Sequence, residues 1–571
     1  MSTHARPLAD DLAAASDDEL TALLTARGVR PDVAWQDLFD AAEALLDAAS
    51  IGRALPALTA AEAAALVDAV AGDGDGAGAG AGRERLTALA LLRADGTPHP
   101  PVAEAVAGRP RPAPLDETPA PAAEESVSAH AAERAFTTVA VLADILLLAR
   151  AQPFTLLMGG AVSAGQKRQL IETGLDVESV DPLVALAVRA GLAAPVERLL
   201  RTTPAAEDWL HSPAPARWNL LATAFRDTLP RGIRTAEGGW LPPSQWPLAH
   251  PWDPAWPEEA ARQFEAARLL GLIAEDGSEP PWSAALRRGE AADPSALSAL
   301  LPAEVDRIFL QNDLTAIAPG PLQPALDVRL RTMARRESAS QASSYRFTAE
   351  SVAHAFTAGE DEASILGFLG EISLTGIPQP LGYLVAQTGQ RHGLVRVSVD
   401  EETGRTRVES TDAHLLEAMA VDQSLRPLGL TAHVGSLTTK VGQDTVYWAL
   451  TDARYPATLV DRDGTVAVRT RHPAAVPDRV PAPDYGPLIA RLRERQGPDA
   501  DAAWLDRELE AAVRAKAVLR VTVGMPDGST RDLLLEATGI GGGRLRGRDR
   551  AADVERTLPV SSIRAATVVP S

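Results

Sequence analysis

Few residues in this sequence have the types and spacing that chemistry demands. Gly160-Ala161-Val162-Ser163-Ala164-Gly165-Gln166-Lys167-Arg168 comes nearest to a phosphate cradle, with glycines that let backbone N–H groups approach an anion and a lysine to meet its charge. A nucleotide-hydrolysing loop needs glycine directly before that lysine and serine or threonine directly after it to hold magnesium. Gln166 and Arg168 stand there instead, so the stretch reads as a loop that opens a helix. Ser163 resembles a nucleophile elbow, but the elbow needs glycine at both i−2 and i+2, and position 161 is alanine. None of the 10 histidines lies three or four residues from another, the spacing that puts two metal ligands on one helix face. Cysteine is absent altogether. No metal, no cofactor and no catalytic residue is expected.

Arginine supplies the remaining candidate chemistry. If residues 544–550 are extended, Arg544, Arg546, Arg548 and Arg550 share one face and span about 20 Å, because side chains alternate along a strand at ~3.3 Å per residue. Such a row suits a phosphate backbone, with Asp549, Asp553 and Glu555 as its nearest neutralising charges. Arg329, Arg331, Arg335 and Arg336 flank the apolar stripe of a predicted helix and read as a solvated face. The triplet Asp400-Glu401-Glu402 reads as a solvated hairpin turn.

The elements that would position these groups follow from periodicity and punctuation. Residues 8–70 carry helical patterning, with Leu20, Leu23 and Leu24 on one face after Asp17-Asp18-Glu19. A Gly/Ala linker is predicted at 73–82 and a stiffer Pro/Ala/Glu linker at 109–130. Ala164 to Glu172, Thr173-Gly174 and Asp181-Pro182 to Ala190 predict helix, turn, helix, with Asp181 as N-cap, Pro182 in the first helical position and Gly191 as the stop. A wing strand over 196–202 would follow. The second helix offers only Arg189 among Leu, Val and Ala, so it looks built to pack rather than to read bases. Leu326, Leu330 and Met333 mark a helix over 322–336, and helices are expected near 348–358 and 360–372. Strands are predicted at 395–399, 407–410 and 445–450. A charged helix over 488–516 leads into short strands around Pro526-Asp527-Gly528 and Gly541-Gly542-Gly543.

With 571 residues, the chain exceeds what one core supports and should divide into several domains. Apolar residues at 46% and charged residues at 23% predict folding, and an Ala/Leu-rich composition with 4% aromatics favours helix. A net charge of −21 argues against a protein that coats nucleic acid by bulk electrostatics. The imbalance is local: residues 1–130 hold 21 Asp and Glu against 9 Lys and Arg, whereas residues 511–571 hold 6 against 10. Nucleic-acid contact is therefore expected at the C-terminal end. No signal-like start or membrane-length apolar run is present, the longest candidate, Thr138 to Ala149, being interrupted by Asp144, and a cytoplasmic location is the expectation.

Phe309-Leu310-Gln311-Asn312-Asp313-Leu314-Thr315, Ser344-Tyr345-Arg346-Phe347-Thr348, the stretch Ala355 to Leu369, and Gly376-Ile377-Pro378-Gln379-Pro380 form an ordered set. It resembles the N-terminal, non-motor domain of XPB-type DNA helicases, as carried by actinobacterial helicase-associated proteins. The resemblance marks Gln311, Asp313, Tyr345, Arg346, Pro378 and Gln379 as family-motif residues with structural roles. Residues 517–569 faintly resemble a WYL domain, through Asp527-Gly528, Arg544-Leu545-Arg546-Gly547 and Arg556-Thr557-Leu558-Pro559-Val560, but lack the Trp-Tyr-Leu triplet.

The fold expected is α+β and predominantly helical. It comprises an acidic helical domain (1–108), a linker (109–130), a winged-helix-like region (131–290), an XPB-N-terminal-like α/β domain (291–475), and a C-terminal helix with a small β-barrel-like unit (486–571). The function implied is a non-enzymatic accessory role on DNA or on a separate XPB-type helicase, DNA repair being one setting, with weak phosphate-directed contact at Arg544, Arg546, Arg548 and Arg550 and no membrane partner. The alternative is an interaction scaffold without nucleic acid, and a cryptic enzyme stands third.

Overall fold

The computed structural model describes residues 5–72, 80–172, 177–339, 342–461, 464–476, 482–494, 496, 498–525 and 528–569. Its secondary structure is mixed, about 48% helix and 18% strand, with several small sheets. The N-terminal part is helical from α1 (Ala5–Ala14) through α2 (Asp17–Ala26), α3 (Leu38–Leu45), α4 (Ala48–Ala54), α5 (Ala60–Ala71) and α6 (Gly80–Ala88) to α7 (Pro100–Val106). Capping boxes start two of these: Ser16 Oγ accepts from Glu19 N while Glu19 accepts from Ser16 N, and Thr59 with Glu62 repeats the arrangement. Most of the predicted Gly/Ala linker, 73–79, lies outside the described residues, and its last residues already belong to α6. The Pro/Ala/Glu segment is a strap. Arg111 pairs with Asp68 at 2.6 Å, Asp116 N donates to Gln245 Oε1 at 3.2 Å, and Ala123 N donates to Glu279 O at 2.9 Å.

Next comes α8 (Glu125–Ala151), then β1 (Phe154–Thr155), α9 (Ala164–Glu172), α10 (Val177–Arg189), β2 (Ala193–Val196) and β3 (Leu199–Thr202). The three strands pair antiparallel in the order β1-β3-β2. Glu197 and Arg198, both at positive φ, make the two-residue β2–β3 turn, whose twist matches the strands. The start of α10 corrects the sequence reading. It begins at Val177, so Asp181 and Pro182 lie inside the helix. Asp181 does not cap its own helix because its carboxylate serves the preceding loop, accepting from Val162 N at 2.9 Å. Around this unit pack α11 (Pro204–His211), α12 (Ala214–Asp227), α13 (Trp256–Leu269), α14 (Ser283–Arg287) and α15 (Ser295–Ser298). Buried tryptophans pin them by donating to main-chain carbonyls, Trp218 to Leu270 O at 2.7 Å and Trp282 to Gly271 O at 2.8 Å. Gly271 has φ +62° and a Cβ there would fall 2.4 Å from Ala131 O, so only glycine lets the chain pass α8.

Residues 308–385 build a third core. Strands β4 (Phe309–Leu310), β5 (Thr315–Ala318), β6 (Arg335–Ala339) and β7 (Ser343–Arg346) form an antiparallel sheet ordered β4-β5-β7-β6, joined by α16 (Pro324–Met333), α17 (Ala349–Thr357), α18 (Glu362–Ile372) and α19 (Gln379–Arg391). A fourth core spans residues 395–459, with β8 (Val395–Val399), β9 (Thr406–Ser410), α20 (Ala413–Val421), β10 (Thr431–His433), β11 (Ser436–Thr439), α21 (Gln443–Asp452) and β12 (Ala457–Leu459). Its sheet runs β10-β11-β9-β8-β12, with β12 parallel to β8. The strand predicted at 445–450 is helical, part of α21. Val446, Tyr447 and Leu450 are all buried there, a helical spacing that packing under the sheet selects over the β propensity of the same residues.

The expected C-terminal unit divides in two. Helix α22 (Gly486–Glu494) packs Leu488, Ile489 and Leu492 into the N-terminal core, where Tyr485 Oη donates to Val29 O at 2.6 Å. Helix α23 (Pro498–Ala515) faces both ways, Trp504 toward Phe39 of that core and Leu505, Leu509 and Ala512 toward the last sheet. Arg507 locks the joint, reaching Asp40 at 2.6 Å, Glu43 at 3.1 Å and Asp37 at 3.2 Å. That sheet is β16-β15-β14-β13-β17, from β13 (Val518–Gly524), β14 (Thr530–Gly541), β15 (Arg544–Asp549), β16 (Val554–Pro559) and β17 (Ile563–Val568). Its edge strands are joined by Val560–Ser562 alone. Flat, the edges would lie about 19 Å apart at ~4.8 Å per strand, while four residues reach only about 14 Å. The sheet is therefore strongly curled.

Candidate nucleic-acid interface

Two charges of the α9–α10 pair, Lys167 and Arg189, are met inside the protein, while Arg168 is exposed. Lys167, the lysine of the glycine-flanked loop, reaches Asp181 Oδ2 at 2.5 Å, so its charge is already met. Arg189 donates to Gln263 Oε1 at 2.7 Å, lies 5.0 Å over the Phe225 ring, and is held below the usual arginine range by burial. Among the described side chains of α10 the outward positions are Ala185 and Val188, which have no group that reads a base edge.

The family-motif residues lie on the elements of the third core, only Tyr345 among them inside it. Gln311 Oε1 accepts from Thr315 Oγ1 at 3.1 Å, and Asp313 accepts from Thr315 N at 3.2 Å, closing the β4–β5 turn in which Leu314 takes φ +66°. Arg346 pairs with Glu337 at 2.6 Å across the β6–β7 hairpin. Pro378 precedes α19 and Gln379 begins it. Tyr345 is buried and donates to Asp327 Oδ1 at 2.6 Å; burial, then the Asp327 charge, push its hydroxyl well above the usual tyrosine range.

Asp327 belongs to a half-buried network, centred on the buried Asp144, that the sequence reading missed. Asp144 of α8 takes Arg331 at 2.6 Å and also Arg336, and Arg331 reaches Asp327 at 3.6 Å. Arg331 and Arg336 are thus no solvated face. Their guanidinium groups weld the third core to α8, and the one acid of the apolar run 138–149 is their partner. Arg329 is also engaged, with Glu360 at 2.8 Å and over the Phe368 ring at 4.4 Å, leaving Arg335 exposed.

Strand β15 alternates with period two, so Arg544, Arg546, Arg548 and the following Arg550 are exposed while Leu545, Gly547 and Asp549 face inward. The row points away from α23. Half of it is neutralised: Arg548 meets Asp553 at 2.7 Å and Arg550 meets Glu536 at 3.4 Å. Asp549 instead holds Arg556 at 2.6 Å, and that hydrogen bond keeps its carboxyl below the usual range. Arg544 and Arg546 make no ion pair among the described residues and flank the Gly541-Gly542-Gly543 hairpin.

No group of three or more His, Asp and Glu with metal-holding geometry occurs among the described residues, and no helix among them is long and apolar enough to cross a membrane. The geometry is that of a mixed α/β scaffold that pairs several of its candidate charges internally, with short helical and arginine surfaces left open. Residues 308–433 match the family model described as the helicase conserved C-terminal domain, so over this segment, a minority of the chain, the protein is helicase-related. No curated protein matches the chain. The match covers the third core and continues to the end of β10.

Proposed function

We propose that the protein is a non-catalytic, helicase-associated accessory factor acting on DNA or on a separate XPB-type helicase in the cytoplasm, DNA repair being one setting. The observation that carries this reading is the family match over 308–433, which covers the third sheet-and-helix core and contains no phosphate-loop sequence. In this reading residues 291–475 are the XPB-N-terminal-like domain, its motifs lying between Phe309 and Val397, and helix α8 through β3 is a winged-helix module, supported by its order helix, strand, helix, helix, strand, strand. The curled C-terminal sheet is a WYL-like small barrel. Ionic satisfaction of Lys167 by Asp181 supports the absence of a motor. The outward arginines are the phosphate-directed contact, Arg544 and Arg546 ahead of the neutralised Arg548 and Arg550. Those two neutralised side chains and the packed Arg189 favour a second reading, an interaction scaffold that touches no nucleic acid.

Co-purification of the full chain from native lysate, with and without nuclease, tests the proposal. A helicase recovered in both conditions, or nucleic acid recovered only without nuclease, is the expected result. Recovery of neither, with only non-helicase partners retained, would contradict it and favour the scaffold.

A further inference from the structure

We infer that the outward face of α19 is a base-reading surface for duplex DNA. Helices α17, α18 and α19 follow one another with short connections, and α19 packs on the other two through Leu381 and Val385. Gly389 permits the approach, since a Cβ there would sit 3.1 Å from the Phe356 ring. The opposite face carries Gln379, Tyr383, Gln387, Gln390 and Arg391, all exposed, Tyr383 by 68%. None of these five side chains is engaged by another described residue.

Their chemistry favours DNA. A solvated helix face ordinarily carries carboxylates, and this chain has 76 Asp and Glu in 571 residues, yet none occurs from Ile372 to Val399. The helix and its sequence flanks carry no carboxylate of their own, Glu362 of α18 approaching only at Gly389 on the packed side, and an outward face with Arg391 unpaired among the described residues complements a polyanion. Glutamine pairs bidentately with adenine N6 and N7, and arginine with guanine O6 and N7, in a groove about 12 Å wide that admits an α-helix. Residues four apart on the face advance about 6 Å, close to two base-pair steps of ~3.4 Å. A helix-in-groove protein contact would instead need apolar anchors at i, i+3 or i+4, and i+7, and this face has one aromatic and no aliphatic anchor. Gly382 adds to the case: it weakens the helix, no atom lies within 4 Å of where its Cβ would be, and so no internal packing calls for it.

This inference rests on the helicase-associated reading only for the choice of nucleic acid. Its test uses the purified full chain and a duplex DNA library with a randomised centre, followed by affinities for the enriched and a scrambled duplex. Gln387→Ala and Arg391→Ala are each expected to weaken binding to the enriched duplex about tenfold while changing the scrambled one about twofold or less. Gln387→Glu, which keeps size and places a carboxylate on the face, should lose affinity for both, and circular dichroism should be unchanged throughout. Enrichment that survives all three substitutions would overturn the role of α19 and leave the accessory reading standing. Failure of the library to enrich would overturn base reading itself. Loss of a nuclease-resistant protein partner on Tyr383→Ala, with DNA affinity intact, would overturn it in favour of a protein dock.

Discussion

Helices α10 and α19 have the same length and each follows another helix, yet they spend their side chains in opposite ways. Arg189 of α10 is drawn inward by Gln263 and Phe225, and the outward positions among the described side chains are Ala185 and Val188. Helix α19 buries Leu381 and Val385 and leaves Gln379, Tyr383, Gln387, Gln390 and Arg391 in solvent. A helix that follows a turn is therefore not a reading helix by position alone. What decides is whether its polar groups are already satisfied within the protein, because a donor committed to an internal acceptor must break that bond before it meets a base.

The largest effect should come from breaking the joint between these two regions. Asp144→Ala leaves the half-buried Arg331 and Arg336 without that carboxylate, Arg331 keeping only Asp327 at 3.6 Å, and urea unfolding should register a loss of about 3 kcal/mol. A loss below about 1 kcal/mol would mean that the two cores are not welded there.

Glu508 on α23 is next. Burial pushes its carboxyl up to about 7, with Arg6 lowering and Asp10 raising it. Because the folded state binds this proton more tightly than the unfolded state, its contribution is most favourable below the ordinary glutamate range and is lost as pH rises toward 7. Unfolding free energies of the wild type and Glu508→Gln, compared from pH 4 to pH 8, should diverge by up to about 3 kcal/mol, the variant lacking the decline. Parallel curves would reject the buried acid.

Arg189→Ala sharpens the contrast of the two helices directly. It should cost about 1–3 kcal/mol of stability, because the hydrogen bond to Gln263 and the packing on the Phe225 ring both disappear, and leave DNA affinity unchanged. Tyr383→Ala should fall within about 0.5 kcal/mol of wild type. A drop in DNA affinity for Arg189→Ala at unchanged stability would reverse the assignment.

The smallest effect concerns the C-terminal row. Replacing Arg544 and Arg546 together should flatten the slope of log affinity against log salt by up to ~0.9 for each phosphate that the protein no longer neutralises, and replacing Arg548 and Arg550 should flatten it less. Equal slopes for the two pairs would show that Asp553 and Glu536 do not neutralise their partners.

Local patterning was legible and distant pairing was not. The stripe Leu326, Leu330 and Met333, the β8–β9 hairpin around Asp400 and the alternation of residues 544–550 all depend on neighbours in sequence, and all three stand in the structure. Arg331 looked solvated because its partner, Asp144, lies 187 residues away. The start of α10 was misplaced because Asp181 and Pro182 form a good local helix start, and a tertiary bond to Val162 used the carboxylate instead. Residues 445–450 carry β-branched and aromatic side chains, and packing under the sheet overrode that propensity. In α19 the Pro378-Gln379 motif stood out, while the signal for its surface was an absence, the lack of any carboxylate over 372–399.

ATP turnover by the purified full chain, with and without duplex DNA, tests most directly the claim that this helicase-related protein has no motor of its own. The account predicts no turnover above background in either condition, and none for Lys167→Ala, because the lysine nearest to a phosphate loop already pairs with Asp181 at 2.5 Å. DNA-stimulated turnover that Lys167→Ala abolishes would contradict it.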